Sequence, residues 1–159
     1  MIQRIQSLYL LLALAATCFL ISMPIATIYG EDLAFTFNTF VIKDITPSAT
    51  NLVSTLYIAI ALAISAILTL ASIFLYKKRS NQLKTISASL FMLTISLALM
   101  YYIYPDLIIP KIGSLAAGFT IEYNLWTLAC IVPAFAFLLL ANRAIKKDEK
   151  LVRAADRLR

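Results

Sequence analysis

The chain has 159 residues, 62% of them apolar and only 14% charged, with a mean hydropathy of +0.88. Soluble domains carry roughly a quarter charged residues, so this composition excludes an ordinary soluble domain, and the length allows one compact unit. Histidine is absent, which removes histidine-ligated haem, histidine-zinc sites and every dyad built on an imidazole, and no cofactor is expected.

Four apolar stretches follow one another along the chain, at about 7–29, 52–76, 85–104 and 125–142, and none contains a charged residue. Each is close to the ~20 residues that a helix needs to cross ~30 Å of hydrocarbon. The reading is an all-α integral membrane bundle of four transmembrane helices forming a single domain over 1–159. The first stretch exceeds the 7–15 residues of a typical signal-peptide core and is read as an uncleaved anchor. Pro24 in its outer third is expected to kink that helix.

Between the first two spans, Leu33 to Ile42 begins with period-two alternation and is rich in β-formers, and Gly118 to Tyr123 alternates similarly before the fourth span. Two readings stay open here. Either the segments pair as a small extracytoplasmic β-cap, or their aromatic side chains dip into the membrane interface.

Within the spans there is no ionisable group to serve as a proton relay or ion site. Small and hydroxyl residues such as Ala59, Ala63, Ser65, Thr69, Ser87, Ser89 and Ser96 read as helix-packing positions. Cys18 and Cys130 lie inside apolar runs and behave as small hydrophobes, so no disulfide framework is expected. Pro133 in the fourth span frees the carbonyl of Ala129, which predicts a kink satisfied by a neighbouring hydroxyl.

Lys and Arg are divided unequally between alternate loops. Arg4, Lys77, Lys78, Arg79, Lys84 and the seven cations of the C-terminal tail make 12 on one side, against Lys43 and Lys111 on the other. By the positive-inside rule both termini are cytoplasmic, so the basic balance reports topology first, and nucleic acid is not an expected partner. The tail, 143–159, has no Gly or Pro and reads as a cytoplasmic amphipathic helix. Lys146, Lys150, Arg153 and Arg157 form one stripe, opposite Ala144, Leu151, Val152, Ala155 and Leu158. Arg4, snorkelling to the inner headgroups beside Gln3 and Gln6, is within reach of Asp148 or Glu149. These cations are the candidate docking residues for anionic lipid headgroups or a membrane-protein partner.

The two ends of the chain, Met1-Ile2-Gln3-Arg4-Ile5-Gln6-Ser7-Leu8-Tyr9 and Arg143-Ala144-Ile145-Lys146-Lys147-Asp148-Glu149-Lys150 continuing to Arg159, resemble the hallmark ends of a Bacteroidota membrane family catalogued as domain of unknown function 4293. Length and the four-span layout agree with it. The resemblance implies a protein of the bacterial inner membrane and supplies no catalytic residues. The expected function is a non-enzymatic inner-membrane scaffold or accessory subunit docking through its basic tail, with a small carrier or channel for a neutral or lipid-like solute as the alternative.

Overall fold

A computed structural model describes residues 2–29, 34–45, 51–107 and 120–157. Four long apolar helices form the body: α1 (Ile2–Ser22), α2 (Leu56–Phe74), α3 (Arg79–Ala98) and α4 (Leu125–Arg157). All four are long and apolar enough to cross a bilayer, and the protein is a multi-span membrane protein. Successive helices run in opposite directions, with α1 packed most extensively on α4 and α2 on α3.

Buried positions recur at alternating steps of four and three in every helix. They are Gln6, Leu10, Ala13, Thr17 and Leu20 in α1; Ile58, Leu62, Ser65, Thr69 and Ser72 in α2; Gln82, Ile86, Ser89, Leu93 and Ser96 in α3; and Ala134, Leu138, Ala141, Ile145 and Asp148 in α4. A 3.5-residue period keeps one narrow seam facing inward along the whole helix, the pattern of left-handed bundles. The lipid side is left to Leu8, Leu11, Phe19, Ile67, Phe74, Phe91 and Val132, all exposed on the isolated chain. In a bilayer that exposure carries no penalty, because lipid tails are as apolar as the side chains.

The seam is not uniform. Between α1 and α4 it is mostly Leu, Ala and Ile, whereas between α2 and α3 it is a ladder of hydroxyls. Thr69 Oγ1 lies 2.7 Å from Ser89 Oγ and donates to the Ser65 carbonyl at 2.8 Å, while the Ser65 and Ser89 hydroxyls lie 3.1 Å apart. Every one of these groups is paired with a neighbour. The result is close helix packing at Ser65, Thr69 and Ser89, as the sequence predicts for small residues, whereas Ser87, also expected there, is exposed. At the lower end Leu75–Lys77 form one 3₁₀ turn and only Lys78 separates it from α3. Gln82 Nε2 donates to the Ser72 carbonyl across that turn at 3.0 Å.

One end of the bundle is capped by a five-stranded antiparallel sheet in the order β4-β3-β2-β1-β5: β1 (Ala26–Tyr29), β2 (Ala34–Phe37), β3 (Val41–Asp44), β4 (Asn51–Ser54) and β5 (Thr120–Tyr123). Ala26, Ile28, Phe35, Phe37 and Ile42 are buried in the main core, and alternate residues such as Thr27 and Thr36 face away. The strand reading of the outer loops holds, with its boundaries revised. The stretch 33–42 is two strands, because Asn38–Phe40 make a turn: Asn38 N–H bonds to the Val41 carbonyl, Thr39 Oγ1 to the Leu20 carbonyl, and Thr55 Oγ1 to the Asn38 carbonyl. Leu33, Gly118 and Phe119 lie outside the described residues.

Pro24 does not kink a helix. α1 ends at Ser22, two residues before it, as the steric bias against α conformation preceding a proline requires. The apolar stretch continues as β1, whose Thr27, Ile28 and Tyr29 favour a pleated strand. The Pro24 carbonyl is the acceptor for Thr127 Oγ1 at 2.6 Å, which fastens the first turn of α4 to the sheet. Residues 51–54, at the head of the second apolar stretch, likewise belong to the sheet.

Pro133 does lie inside α4. The nearest hydroxyl in sequence, Thr127, has given its proton to Pro24 and so does not serve the Ala129 carbonyl. In α3 the helix passes into a single π-helical stretch, Leu99–Ile103. Without it the seam would advance from Met100 to Ile103. The extra residue moves it to Tyr104, which is buried with its hydroxyl donating to the Ser54 carbonyl at 3.3 Å, while Ile103 is exposed.

Candidate functional site

The chain ends and the α2–α3 turn gather at the end of the bundle away from the sheet. Gln6 in α1 and Asp148 in α4 belong to the last layer of their seams. Gln6 Nε2 donates to Asp148 Oδ2, and the Arg79 guanidinium donates to the Asp148 backbone carbonyl at 3.4 Å. Asp148 is only 8% exposed. Two chain termini and the hairpin turn are thereby tied at one residue.

Gln6 stands four residues before Leu10 on the inward face, which brings it to Asp148; the expected pairing of Arg4 with Asp148 or Glu149 lies outside the described side chains. Arg4 occupies the first turn of α1, but its side chain lies outside the described ones, as do those of Arg153 and Arg157. Glu149 is partly buried.

Around this knot the surface is basic. Lys78, Lys84, Arg143, Lys146, Lys147 and Lys150 are all exposed. The helix positions of Lys146, Lys150, Arg153 and Arg157 fall within an arc of about 60° at 100° per residue, turned away from the seam of Ala141, Ile145 and Asp148. The one acidic side chain on that seam is withdrawn from the surface by Gln6. Helix α4 continues through this end without interruption to Arg157. Lysine and arginine at the C-terminal end of a helix also complement its dipole, which favours the continued helix.

Elsewhere the chemistry is sparse. Among the described residues no cluster of three or more Cys, Asp or Glu is placed to hold a metal ion. Cys18 and Cys130 are free thiols. At the sheet end, the rings of Tyr101 and Tyr123 lie 5.0 Å apart, and burial, followed by the nearby Asp106, raises the Tyr123 phenol above its ordinary value. None of these is a nucleophile with an adjacent base.

Sequence reasoning missed the inward placement of Gln6, the burial of Asp148 and the bond from Thr127 to Pro24. The signal for the first two was present in the four-three spacing from Gln6 to Leu20 and from Ala134 to Asp148. Nothing in the sequence near either Thr127 or Pro24 announced the third. Comparison with curated proteins gives no match. The family model described as Domain of unknown function (DUF4293) matches residues 2–158, almost the whole chain, and the protein belongs to that family.

Proposed function

We propose that the protein is a scaffold or accessory subunit of a bacterial inner membrane, with the sheet outside and the basic end in the cytoplasm as a docking platform. The observation that supports it most is the charge partition along the bundle axis. Twelve of the 14 Lys and Arg residues belong to the N-terminal segment, the α2–α3 connection with the start of α3, and the C-terminal tail, and two to the stretches of sequence between α1 and α2 and between α3 and α4. That asymmetry sets orientation during insertion. A non-enzymatic role accords with a seam whose hydroxyls are occupied by one another and by backbone carbonyls, leaving them committed to packing.

Sidedness is read by thiol labelling in a variant with Cys18 and Cys130 replaced by alanine. Cysteine at Ser80, exposed beside the α2–α3 turn, should react with an impermeant maleimide only after the inner face is opened. Cysteine at Thr120, exposed on β5, should react in intact spheroplasts. The reverse pattern refutes the cytoplasmic platform.

A further inference from the structure

The outward face of α4 changes character once along its length. Leu125, Ala129, Val132, Leu139 and Leu140 are exposed and fall within about 60° either side of one line along the helix. Arg143, Lys146, Lys147 and Lys150 are exposed on the same line, within an arc of about 100°. Opposite them run Thr127, Ala134, Ala141 and Asp148, all buried, so the phase of the helix carries through Pro133. An apolar strip facing lipid therefore runs straight into four cations.

Depth brings those cations to the phosphates. From Trp126 to Lys146 is 20 residues, about 30 Å of helix, which matches the hydrocarbon thickness. Arg143 stands about 4.5 Å inside that edge and Lys150 about 6 Å outside it, and the headgroup layer is roughly 5–8 Å deep. Long basic side chains reach it from either position. The turn that bears them is held against rolling, because Asp148 on its other face is bonded by Gln6 and its carbonyl by Arg79. Arg143 with Lys147, and Lys146 with Lys150, are like-charge neighbours at i+4, an arrangement that disfavours a helix on its own. An anion set between the members of a pair reverses that sign. The α2–α3 turn offers less, since Lys78 and Lys84 are exposed but Arg79 is partly buried and directed to the Asp148 carbonyl.

Resting on the docking platform proposed above and naming its partner, we infer that the outward face of α4 is a binding site for an anionic diacyl phospholipid. The phosphate lies among Arg143, Lys146, Lys147 and Lys150, and the acyl chains run along Leu139, Leu140 and Val132. A cation beside an anionic headgroup contributes roughly fivefold in affinity. A zwitterionic lipid brings its own cation to the same place and is the weaker ligand. A free anion has nothing to set against the apolar strip, and an acidic protein segment meeting the cations would leave that strip to lipid.

The test uses the full chain in a mild non-ionic detergent, by native mass spectrometry with phosphatidylglycerol and phosphatidylcholine added in equal amounts. The protein should retain phosphatidylglycerol at least fivefold in preference. Arg143→Gln with Lys147→Gln, and Lys146→Gln with Lys150→Gln, should each lower that preference at least threefold, whereas Lys78→Gln with Lys84→Gln should change it less than twofold. A phosphatidylglycerol carrying a diazirine on one acyl chain should, on illumination, mark residues 132–140 of the unaltered chain above every other segment, a readout that needs no variant to fold. Equal marking of the outer faces of α1 and α2, or equal loss in the tail and hairpin variants or in neither, overturns the proposal in favour of cations that act in topology alone. Competition by inorganic phosphate or glycerophosphoglycerol at the lipid's concentration overturns it in favour of a soluble anion, and displacement of the lipid by an equimolar glutamate-rich peptide in favour of a protein segment. Detergent has no sides, so failure of the cytoplasmic placement is read separately, in the labelling of S80C and T120C.

Discussion

Gln6 and Asp148 are 142 positions apart in the chain and meet in the last layer of the bundle. A carboxylate that is nearly buried must have a donor, because leaving a buried polar group unpaired costs about 1–3 kcal/mol and more when it is charged. Gln6→Leu keeps the bulk and removes the donor, so it should lower the thermal midpoint of the purified protein by several degrees, a shift of about 2–4 °C accompanying each kcal/mol at this chain length. Asp148→Asn retains an acceptor oxygen for the Gln6 amide and should lower it by less than half as much. An equal loss in both would place the stabilisation in the carboxylate's charge instead of the bond. The same logic applies to Thr127, where valine preserves shape but orphans the Pro24 carbonyl and should cost about 1 kcal/mol. These pairs were not legible in the sequence. Hydropathy ranks Gln6 and Asp148 as surface residues, and only their spacing relative to Leu10 and Ile145 marks them as inward.

At the scale of elements, the π-helical stretch in α3 accounts for a phase change that a regular helix would not make. One residue more than an α-turn holds rotates Tyr104 into the core, where it packs 6.1 Å from Phe37 and bonds Ser54, and turns Ile103 outward. Deleting the exposed Tyr102 should therefore regularise the helix while keeping Tyr104 and the strand beyond in phase. Deleting exposed Phe91, in a regular stretch, rotates every later residue by ~100° and should abolish monodisperse protein on size exclusion. Comparable damage from both deletions would deny the re-phasing role. The ladder between α2 and α3 has its own measure. Membrane hydroxyl contacts contribute about 0.6 kcal/mol each on average, so Ser89→Ala, which touches Ser65 and Thr69, should cost about 1 kcal/mol in a reversible unfolding assay in bicelles. The four helices were visible beforehand because a run of twenty uncharged residues has few alternatives. Their ends were less so. Ala26–Tyr29 and 52–54 lie within the uncharged stretches but pleat instead, since Pro24 closes one helix and Thr55, bonded to Asn38 and Phe40, precedes the other. That outcome depends on partners far along the chain, which a local window does not contain.

For the molecule as a whole, aromatic and basic residues frame one bilayer thickness on three helices. Tyr57 and Lys77 are 20 residues apart on α2 and its turn, Tyr102 and Lys84 are 18 apart on α3, and Trp126 and Lys146 are 20 apart on α4. Each interval corresponds to about 27–30 Å of helix. Tyr57, Tyr102 and Trp126 are all more than 70% exposed, on the lipid side at the sheet end, where amphipathic rings settle at headgroup level. Trp126 is the single tryptophan, so its emission, excited at 295 nm, reports the depth of one known point. In bilayers of brominated phosphatidylcholine, bromine at carbons 6 and 7 should quench it more strongly than bromine at carbons 11 and 12. Stronger quenching from the deep position would draw the head of α4 into the hydrocarbon, push Lys146 and Lys150 beyond the inner headgroups, and change the share of the basic stripe that lipid can reach. Shallow quenching keeps Lys146 at the inner edge of the hydrocarbon, with the rest of the basic stripe continuing past that edge along α4.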